Sequence, residues 1–476
     1  MEPIRRCCAR LALALAALSG CAVQEAQPLS AAANARALEA RTLEDPRLRQ
    51  FVNASRALAH EPAPPGAWDL DSLSLAALYY HPDLDIARAK LASARAGVVA
   101  AGQIPNPVAE FGLSYNGTTT VPSPWTVGLM VNFIVETFGK RGYREAQAGH
   151  LADAVREDLA SATWQVRAGV RDALLAKWAA ERRVALALQQ LERRETLVRL
   201  VESRLAAGAA SGLEVARERV ARNRARLALD DAERDRVLAR AALAQAVGVP
   251  LRALDGAAIS LQAFDATAPV APDVSAGALR ERALTLRPDV QALLAEYAAA
   301  QSALQIELAR RWPNLQLGPG YVYDQGDHKY SLAVAGELPL FHRNEGAIAR
   351  AEARRAEVAA RFVALQAQII GAVDAASTGY GAATRALGTA DALVAQARRR
   401  AGGYRRAFDA GQLGRQALVG AQIELGEAQI ARFDALAAER HAIGRIEDAL
   451  RTPLFGSPGE LPLEERNPRI AAEAPR

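Results

Sequence analysis

Two short stretches of this chain alternate apolar and polar residues, and each is set between long segments of helical periodicity. The clearer one lies between Arg310 and Phe341. A helical pattern stops at Pro313, because proline cannot continue a helix and biases the residue before it to extended angles. Beyond it, Leu315, Leu317, Tyr321 and Tyr323 fall on one side of an extended chain, with Gln316, Gly318, Gly320 and Asp324 on the other. Asp324-Gln325-Gly326-Asp327 reads as a turn. Tyr330, Leu332, Val334 and Leu338 then alternate with Ser331, Ala333, Ala335 and Glu337. A two-faced hairpin over 314–340 is expected. An earlier one, over 108–135, sets Phe111, Leu113 and Tyr115 against Glu110, Gly112, Ser114 and Asn116. Its return strand sets Val127, Leu129, Val131, Phe133 and Val135 against Thr126, Gly128, Met130, Asn132 and Ile134. Strands of about ten residues with one apolar face match a tilted strand in a bilayer.

The two hairpins belong to an internal duplication. His81-Pro82-Asp83-Leu84 resembles Arg287-Pro288-Asp289-Val290, and an offset of 206 carries Pro82, Pro107, Gly112 and Tyr115 onto Pro288, Pro313, Gly318 and Tyr321. After the hairpins the offset is 203: Gly208 meets Gly411, Val215 meets Leu418, and Val249-Pro250-Leu251 meets Thr452-Pro453-Leu454. Each half therefore reads as helix, hairpin, long helix, tight turn, helix. The expected layout is a signal peptide over 1–20, a lead and linker over 21–67, a first repeat over 68–270, a second over 271–455 and a loose tail over 456–476. Leu73 to Gly102 reads as one helix, and Glu61 to Gly66 as a linker.

After Gly139-Lys140-Arg141-Gly142 a helical pattern runs to Leu205 without a proline, with Leu151, Val155, Leu159, Val166, Val170 and Leu174 on one stripe. At 1.5 Å per residue, roughly sixty residues make a rod of about 90 Å, which needs lateral partners to bury its stripe. A turn over 206–212 returns it as Leu213 to Val247. The second half repeats the device with Ala347 to Phe408, a turn over 410–414, and Arg415 to Leu450. Gly208, Gly212, Gly411 and Gly414 are expected to shape these turns through left-handed backbone angles. Alanine is frequent and aromatic residues make up only 5% of the chain, which suits close helix–helix packing better than a thick globular core.

Four strands cannot close a barrel, since closed transmembrane barrels start at about eight. Open edges in lipid leave unpaired peptide groups that cost several kcal/mol each. No apolar run of spanning length is expected after the amino end, so a membrane crossing would use strands. The chain must then oligomerise to close, and three copies would supply twelve strands over a tube of packed helices.

At the amino end Arg5, Arg6 and Arg10 precede an apolar run from Leu11 to Leu18 that is too short to span. Leu18-Ser19-Gly20-Cys21 is similar to the lipobox of bacterial lipoproteins, which implies cleavage before Cys21 and lipid attachment to it. Cys7 and Cys8 then leave with the signal, so the mature chain has no disulfide in an oxidising compartment. Ala22, in place of an aspartate, points to the outer membrane. Removing residues 1–20 takes away three arginines and Glu2, so the formal net charge falls from +5 to +3. That is too small for a nucleic-acid binder of this size, and Glu192-Arg193-Arg194-Glu195 and Glu214 to Arg226 read as solvated helix faces. No phosphate-binding loop, zinc-protease motif or nucleophile elbow occurs, and His60, His81, His150, His328, His342 and His441 lack ligand spacing. Neither an enzyme, a cofactor nor a metal site is expected.

The duplicated arrangement, the Pro-Asn before each hairpin, Leu338-Pro339-Leu340-Phe341 after the second, and Gly208 and Gly411 at the helix turns together resemble the TolC family of outer-membrane efflux channels. The likeness covers roughly residues 68 to 455. Pro105-Asn106-Pro107, Phe138-Gly139-Lys140-Arg141 and Pro339 to Gly346 look most like the heavy-metal cation exporters of the CzcC type. The resemblance implies a mainly helical chain with a small membrane β part. Its long antiparallel helical hairpins would form a periplasmic α-barrel, and the strands of a homotrimer a twelve-stranded barrel in outer-membrane lipid. It implies a passive conduit, with a periplasmic adaptor and an inner-membrane pump of the RND type as partners. In such channels acids just past the helix turns narrow the entrance. Glu214 fits that position, whereas Ala417 and Gly420 stand there in the second repeat. A duct for drugs or for type I protein secretion, and a lipid-anchored coiled-coil scaffold without a pore, are the rival readings.

Overall fold

The computed structural model describes residues 28–58, 67–117, 120–265 and 276–454; Cys21, the 61–66 linker and the 456–476 tail lie outside them. The chain divides into two compact units, one up to Arg41 and one from Thr42 on. In the first, α1 (Ala31–Glu39) is opened by Ser30, whose Oγ accepts the Ala33 N–H at 3.3 Å.

In the second unit α2 (Pro46–Leu58) precedes α3 (Leu70–Tyr80), a helix buried along nearly its whole length. Asp69 caps α3 by accepting the Ser72 N–H at 2.8 Å, and Arg56 of α2 donates to both Asp69 Oδ1 and Ser72 Oγ at 2.9 Å. Neither α1 nor α2 was readable in the mixed composition of 22–67. The single helix expected over 73–102 is instead two, α3 and α4 (Pro82–Gly102), because Pro82 cannot donate to the helix before it. His81 ends one and opens the other, its Nδ1 accepting the Asp83 N–H at 3.3 Å. The second repeat breaks at the same place, between α7 (Ala276–Leu286) and α8 (Pro288–Ala309).

Four long helices follow the expected outline: α5 (Lys140–Ala206) and α6 (Gly212–Val247) in the first repeat, α9 (Glu345–Asp409) and α10 (Arg415–Leu450) in the second. α5 has 67 residues and α9 has 65, so part of the length difference between the repeats lies inside these helices. Both start from a left-handed residue, Gly139 at φ 71° and Asn344 at φ 66°. Each pairs with its successor, and α10 also packs on α5, which ties the repeats together. Of the predicted stripe, Leu159, Val166, Val170 and Leu174 are buried and Leu151 is exposed.

The main core lies partway along the rods, where α3, the end of α6, residues 251–265 and α10 close around α5. Trp178 sits there between Phe264 and Phe433, at ring separations of 6.1 and 5.0 Å. A smaller core repeats the device, with α7 and α8 contributing Ala283 and Val290 against Ile369 and Val373 of α9 and Ile446 of α10. One correction concerns hydropathy: α9 contains an 18-residue stretch apolar enough to span a membrane by length and composition. Its Ile369 and Val373 serve the second core.

The two hairpins merge into one antiparallel sheet of order β1 (Val108–Tyr115), β2 (Trp125–Val135), β3 (Leu315–Asp324), β4 (Asp327–Gly336). Gln325 and Gly326 form the predicted turn, both at positive φ. The second hairpin stops at Gly336 rather than 340. Pro339 has no N–H to give a ladder.

Candidate functional site

The sheet has two chemically different faces. Register places Phe111 opposite Leu129, Leu129 opposite Tyr321, and Tyr321 opposite Tyr330, with Phe133, Leu317 and Val334 in a second such row. Most of these side chains are exposed, Tyr330 by 82% and Leu332 by 68%. Tyr115 packs edge-on to Trp125 with ring centres 4.9 Å apart. Tyrosine and tryptophan therefore cluster at the turn end of the apolar face, as at a membrane interface. The opposite face is small and polar. There Asn132 Nδ2 donates to Glu110 Oε1 at 2.9 Å, Thr126 Oγ1 donates to Asp324 Oδ1 at 2.9 Å, and Lys329 pairs with Asp324 at 2.6 Å. Gly318 and Gly320 lie on it, and a Cβ on Gly318 would come within 2.6 Å of Asn132 Oδ1.

Where strands give way to helices, the sequence motifs of both repeats meet. Lys140, the first residue of α5, is buried; its Nζ donates to the Trp312 carbonyl and Asn314 Oδ1, each at 2.6 Å. Thr137 Oγ1 donates to the Pro313 carbonyl at 2.6 Å. The Phe-Gly-Lys-Arg motif of the first repeat thus holds the Pro-Asn of the second. One turn on, Arg144 pairs with Glu136 at 2.5 Å, and that hydrogen bond holds the Glu136 carboxyl below its usual range. Burial lowers the Lys140 ammonium. Asn344 Nδ2 donates to the Glu307 carbonyl and side chain at 2.9 and 2.8 Å, and Phe138 stacks on Trp312 at 4.9 Å. Glu136, Lys140, Arg144, Trp312, Asn314 and Asn344 border a cavity of 610 Å³.

At the far end lie the helix turns. Gly208 (φ 73°) and Gly411 (φ 72°) take the left-handed angles that only glycine adopts freely. Gly212 and Gly414 do not, which corrects the expectation for them. Gly212 is the first residue of α6, and Gly414 precedes α10 with φ −75°. The first turn is capped: Ser211 Oγ accepts the Glu214 N–H at 3.2 Å and its hydroxyl lies 3.3 Å from Glu214 Oε1. Ser211-Gly212-Leu213-Glu214 has the capping-box sequence, with the Glu214 carboxylate meeting the Ser211 hydroxyl, a signal the reading of Glu214 as an entrance acid passed over. The second turn has no side-chain cap. Arg204 bridges the two turns, donating to the Ala209 carbonyl at 2.6 Å and to Gln416 Oε1. Beneath them Leu197, Val201, Val215, Val419 and Ile423 form a small core of α5, α6 and α10.

A charged belt at mid-height was not foreseen. Glu447 is fully buried and pairs with Arg171 at 2.8 Å, with Arg167 at 3.7 Å. Arg171 also pairs with Asp448 at 2.8 Å. Burial works against the Arg171 charge, but the Asp448 hydrogen bond and Glu447 outweigh it and raise the group. Arg193 and Arg194, expected to be solvated, reach the Gln422 carbonyl (3.3 Å) and Glu427 (2.8 Å) of α10. A groove of 1010 Å³ over α10 is bordered by paired groups such as Arg432–Asp391 at 2.5 Å. Among the described residues no group of three or more His, Cys, Asp or Glu side chains is placed to hold a metal.

Comparison with known proteins bears on this geometry. The family model "Outer membrane efflux protein" matches residues 73–249. The pyoverdine export outer membrane protein OpmQ of Pseudomonas aeruginosa is 32% identical over 270 residues, 53% of this chain and 55% of that protein. The cobalt-zinc-cadmium resistance protein CzcC of Cupriavidus metallidurans is 28% identical over 295 residues, 60% of this chain and 68% of that protein. The match thus spans only about half the length of the first relative. The outer membrane protein VceC of Vibrio cholerae superposes with a TM-score of 0.65 at 20% identity, covering 80% of this chain and 95% of that one. At this identity the likeness concerns the fold, a long helical barrel wall carrying a short β part.

Proposed function

We propose, from the family model over residues 73–249 and the likeness to the pyoverdine export and cobalt-zinc-cadmium resistance proteins, that the chain belongs to the outer membrane efflux protein family, a family of passive channels, and that it is the outer-membrane conduit of a tripartite efflux system. The observation that carries the proposal is the sheet: four strands, one face apolar and exposed, the other small and polar, with β1 and β4 left as open edges. Such a sheet is unstable in lipid unless its edges are paired, and three chains give a closed wall of twelve strands. The polar face then lines water. The long helices continue the wall into the periplasm, and the turns at Gly208 and Gly411 face an adaptor joined to an inner-membrane pump. In this reading the energy comes from the pump. Cys21 anchors the mature chain by lipid in the outer membrane. The capping-box bond of Glu214 supports a role in fixing the turn.

The test is direct. Purified full-length protein in detergent should have the mass of three chains and should open aqueous channels in planar bilayers. A monomer that conducts nothing overturns the reading and leaves the periplasmic scaffold. Replacing Cys21 by Ser should remove the lipid mass from the mature amino terminus.

For the cargo, two readings rest on different observations. Heavy-metal cations follow from the motifs at Phe138–Arg141 and Pro339–Gly346 and from the likeness to the cobalt-zinc-cadmium resistance protein. Loss of cobalt, zinc and cadmium tolerance on deletion, with drug tolerance unchanged, would bear that out. An anionic cargo follows from the cationic side chains that line the cavity under the sheet.

A further inference from the structure

The cavity under the sheet opens on the polar face. Ile134 lies opposite Gln316, and Gln316 opposite Ala335; all three line the cavity, whereas the neighbouring row of Phe133, Leu317 and Val334 belongs to the apolar face. In a closed barrel this stretch of wall faces the lumen, at the level where strands become helices.

Five cationic side chains line it, Lys140, Arg144, Arg310, Arg311 and Arg343, with His342, against the two carboxylates Glu136 and Glu337. The cations differ in how far they are neutralised. Arg144 is paired with Glu136, and Arg310 with Glu307 at 2.6 Å just outside the cavity. Lys140 is held by a carbonyl, an amide oxygen and a hydroxyl, none of which carries charge. Arg311 and His342 stand near Glu345, whose carboxyl also accepts the Arg343 N–H at 2.9 Å. Among the described residues the Arg311 and Arg343 guanidinium groups make no hydrogen bond or ion pair, and both side chains are exposed. Above this level the polar face carries no surplus of positive charge: Asp324 is paired with Lys329, Asp327 lies opposite Asp324, and Glu110 keeps its charge although Asn132 hydrogen-bonds it. With Glu136, Glu337, Glu307 and Glu345 set against the five cations, the band keeps a small net positive charge, carried by the exposed Arg311 and Arg343. Three-fold closure would turn the band into a ring, and a ring of like charge in a water-filled passage with low-dielectric walls concentrates counter-ions and repels co-ions.

We propose that Lys140, Arg311 and Arg343 form an anion-selecting collar, so that the cargo traverses this duct as a small organic anion and not as a bare divalent cation. The inference rests on the conduit reading and deepens it. A guanidinium suits carboxylate and phosphate groups, to which it can offer two parallel N–H donors, whereas a hydrated divalent cation is repelled by the exposed guanidinium groups.

The experiment uses the purified full chain in planar bilayers under a potassium chloride gradient. The chloride-to-potassium permeability ratio should exceed one, and the double variant Arg311→Gln/Arg343→Gln should lower it by about threefold or more while single-channel opening persists. The double variant Arg311→Lys/Arg343→Lys keeps the charge and should keep the selectivity. Citrate added on the periplasmic side should reduce chloride current in the wild type and not in the glutamine variant. A wild type that prefers potassium, or a ratio that the glutamine variant leaves unchanged, overturns the collar while the conduit stands. Preparations that conduct nothing overturn both.

Discussion

Glu447 has no contact with solvent, and its carboxylate is shared among Arg171, Arg167 and the Leu454 N–H, which lie on α5 and just beyond α10. Gly444, one turn earlier, leaves room for the guanidinium: a Cβ there would approach Arg171 Nε to 3.1 Å. Glu447 is thus the one buried acid that both arginines share, Arg171 being also paired with the more exposed Asp172 and Asp448. Removing one partner of a buried pair costs about 3–5 kcal/mol, because the remaining charge stays desolvated. Glu447→Ala should therefore lower the thermal unfolding midpoint in detergent markedly, and more than Glu427→Ala, whose pairing with Arg194 is half-exposed. Equal midpoints would show that the belt contributes nothing special. The residue types of this belt are plain in the sequence, yet their role is not. Arg167 and Arg171 lie among apolar positions on the buried stripe of α5, but their partner is 276 residues away. Local periodicity carries no sign of so distant a pairing. By contrast Lys140, Asn314 and Asn344 stood in motifs already singled out, and only the Lys140–Asn314 and Asn344–Glu307 contacts were new.

The elements themselves were largely readable. Long proline-free periodic stretches bounded by glycine turns gave α5, α6, α9 and α10 to within a few residues, because a rod of that length shows many turns of one pattern. What failed was local punctuation: the break at Pro82 and the capping box at Ser211 were both written in residue types whose mechanism is known. That capping box makes the two helix turns unequal. The α5–α6 turn has Gly208 in a left-handed conformation and Ser211 closing the first turn of α6; the α9–α10 turn has Gly411 alone. Ser211→Ala should destabilise the first turn by about 1 kcal/mol, and Gly208→Val by about 1–3 kcal/mol, since a β-branched residue at positive φ is strained. Hydrogen exchange should speed up at the amides of 204–216 in both variants and stay unchanged at 407–418. Acceleration spread over both turns would mean that Arg204 and Gln416 couple them into one unit.

At the scale of the assembled molecule, the decisive property is which face of the sheet meets lipid. Alternation in the sequence separated the two faces of each hairpin, but it could not tell that β2 pairs with β3, since that pairing joins residues nearly two hundred positions apart and depends on the long helices being laid side by side. Once β2 and β3 are joined, all four strands show the same side to lipid, and a single substitution reports on it. Leu332 stands mid-strand on β4, on the apolar face opposite Pro319; Ser331, its neighbour, stands on the polar face opposite Gly320. An arginine at the lipid midplane costs roughly 2–4 kcal/mol, and the cost falls to nearly nothing in a water-filled lumen. Three-fold closure repeats the penalty in every chain. Leu332→Arg should therefore abolish assembled trimers in outer-membrane fractions, while Ser331→Arg assembles at wild-type level and shifts ion selectivity toward anions. If both variants assembled alike, the apolar face would not be in lipid, and the barrel would have to be drawn with its faces reversed or not at all.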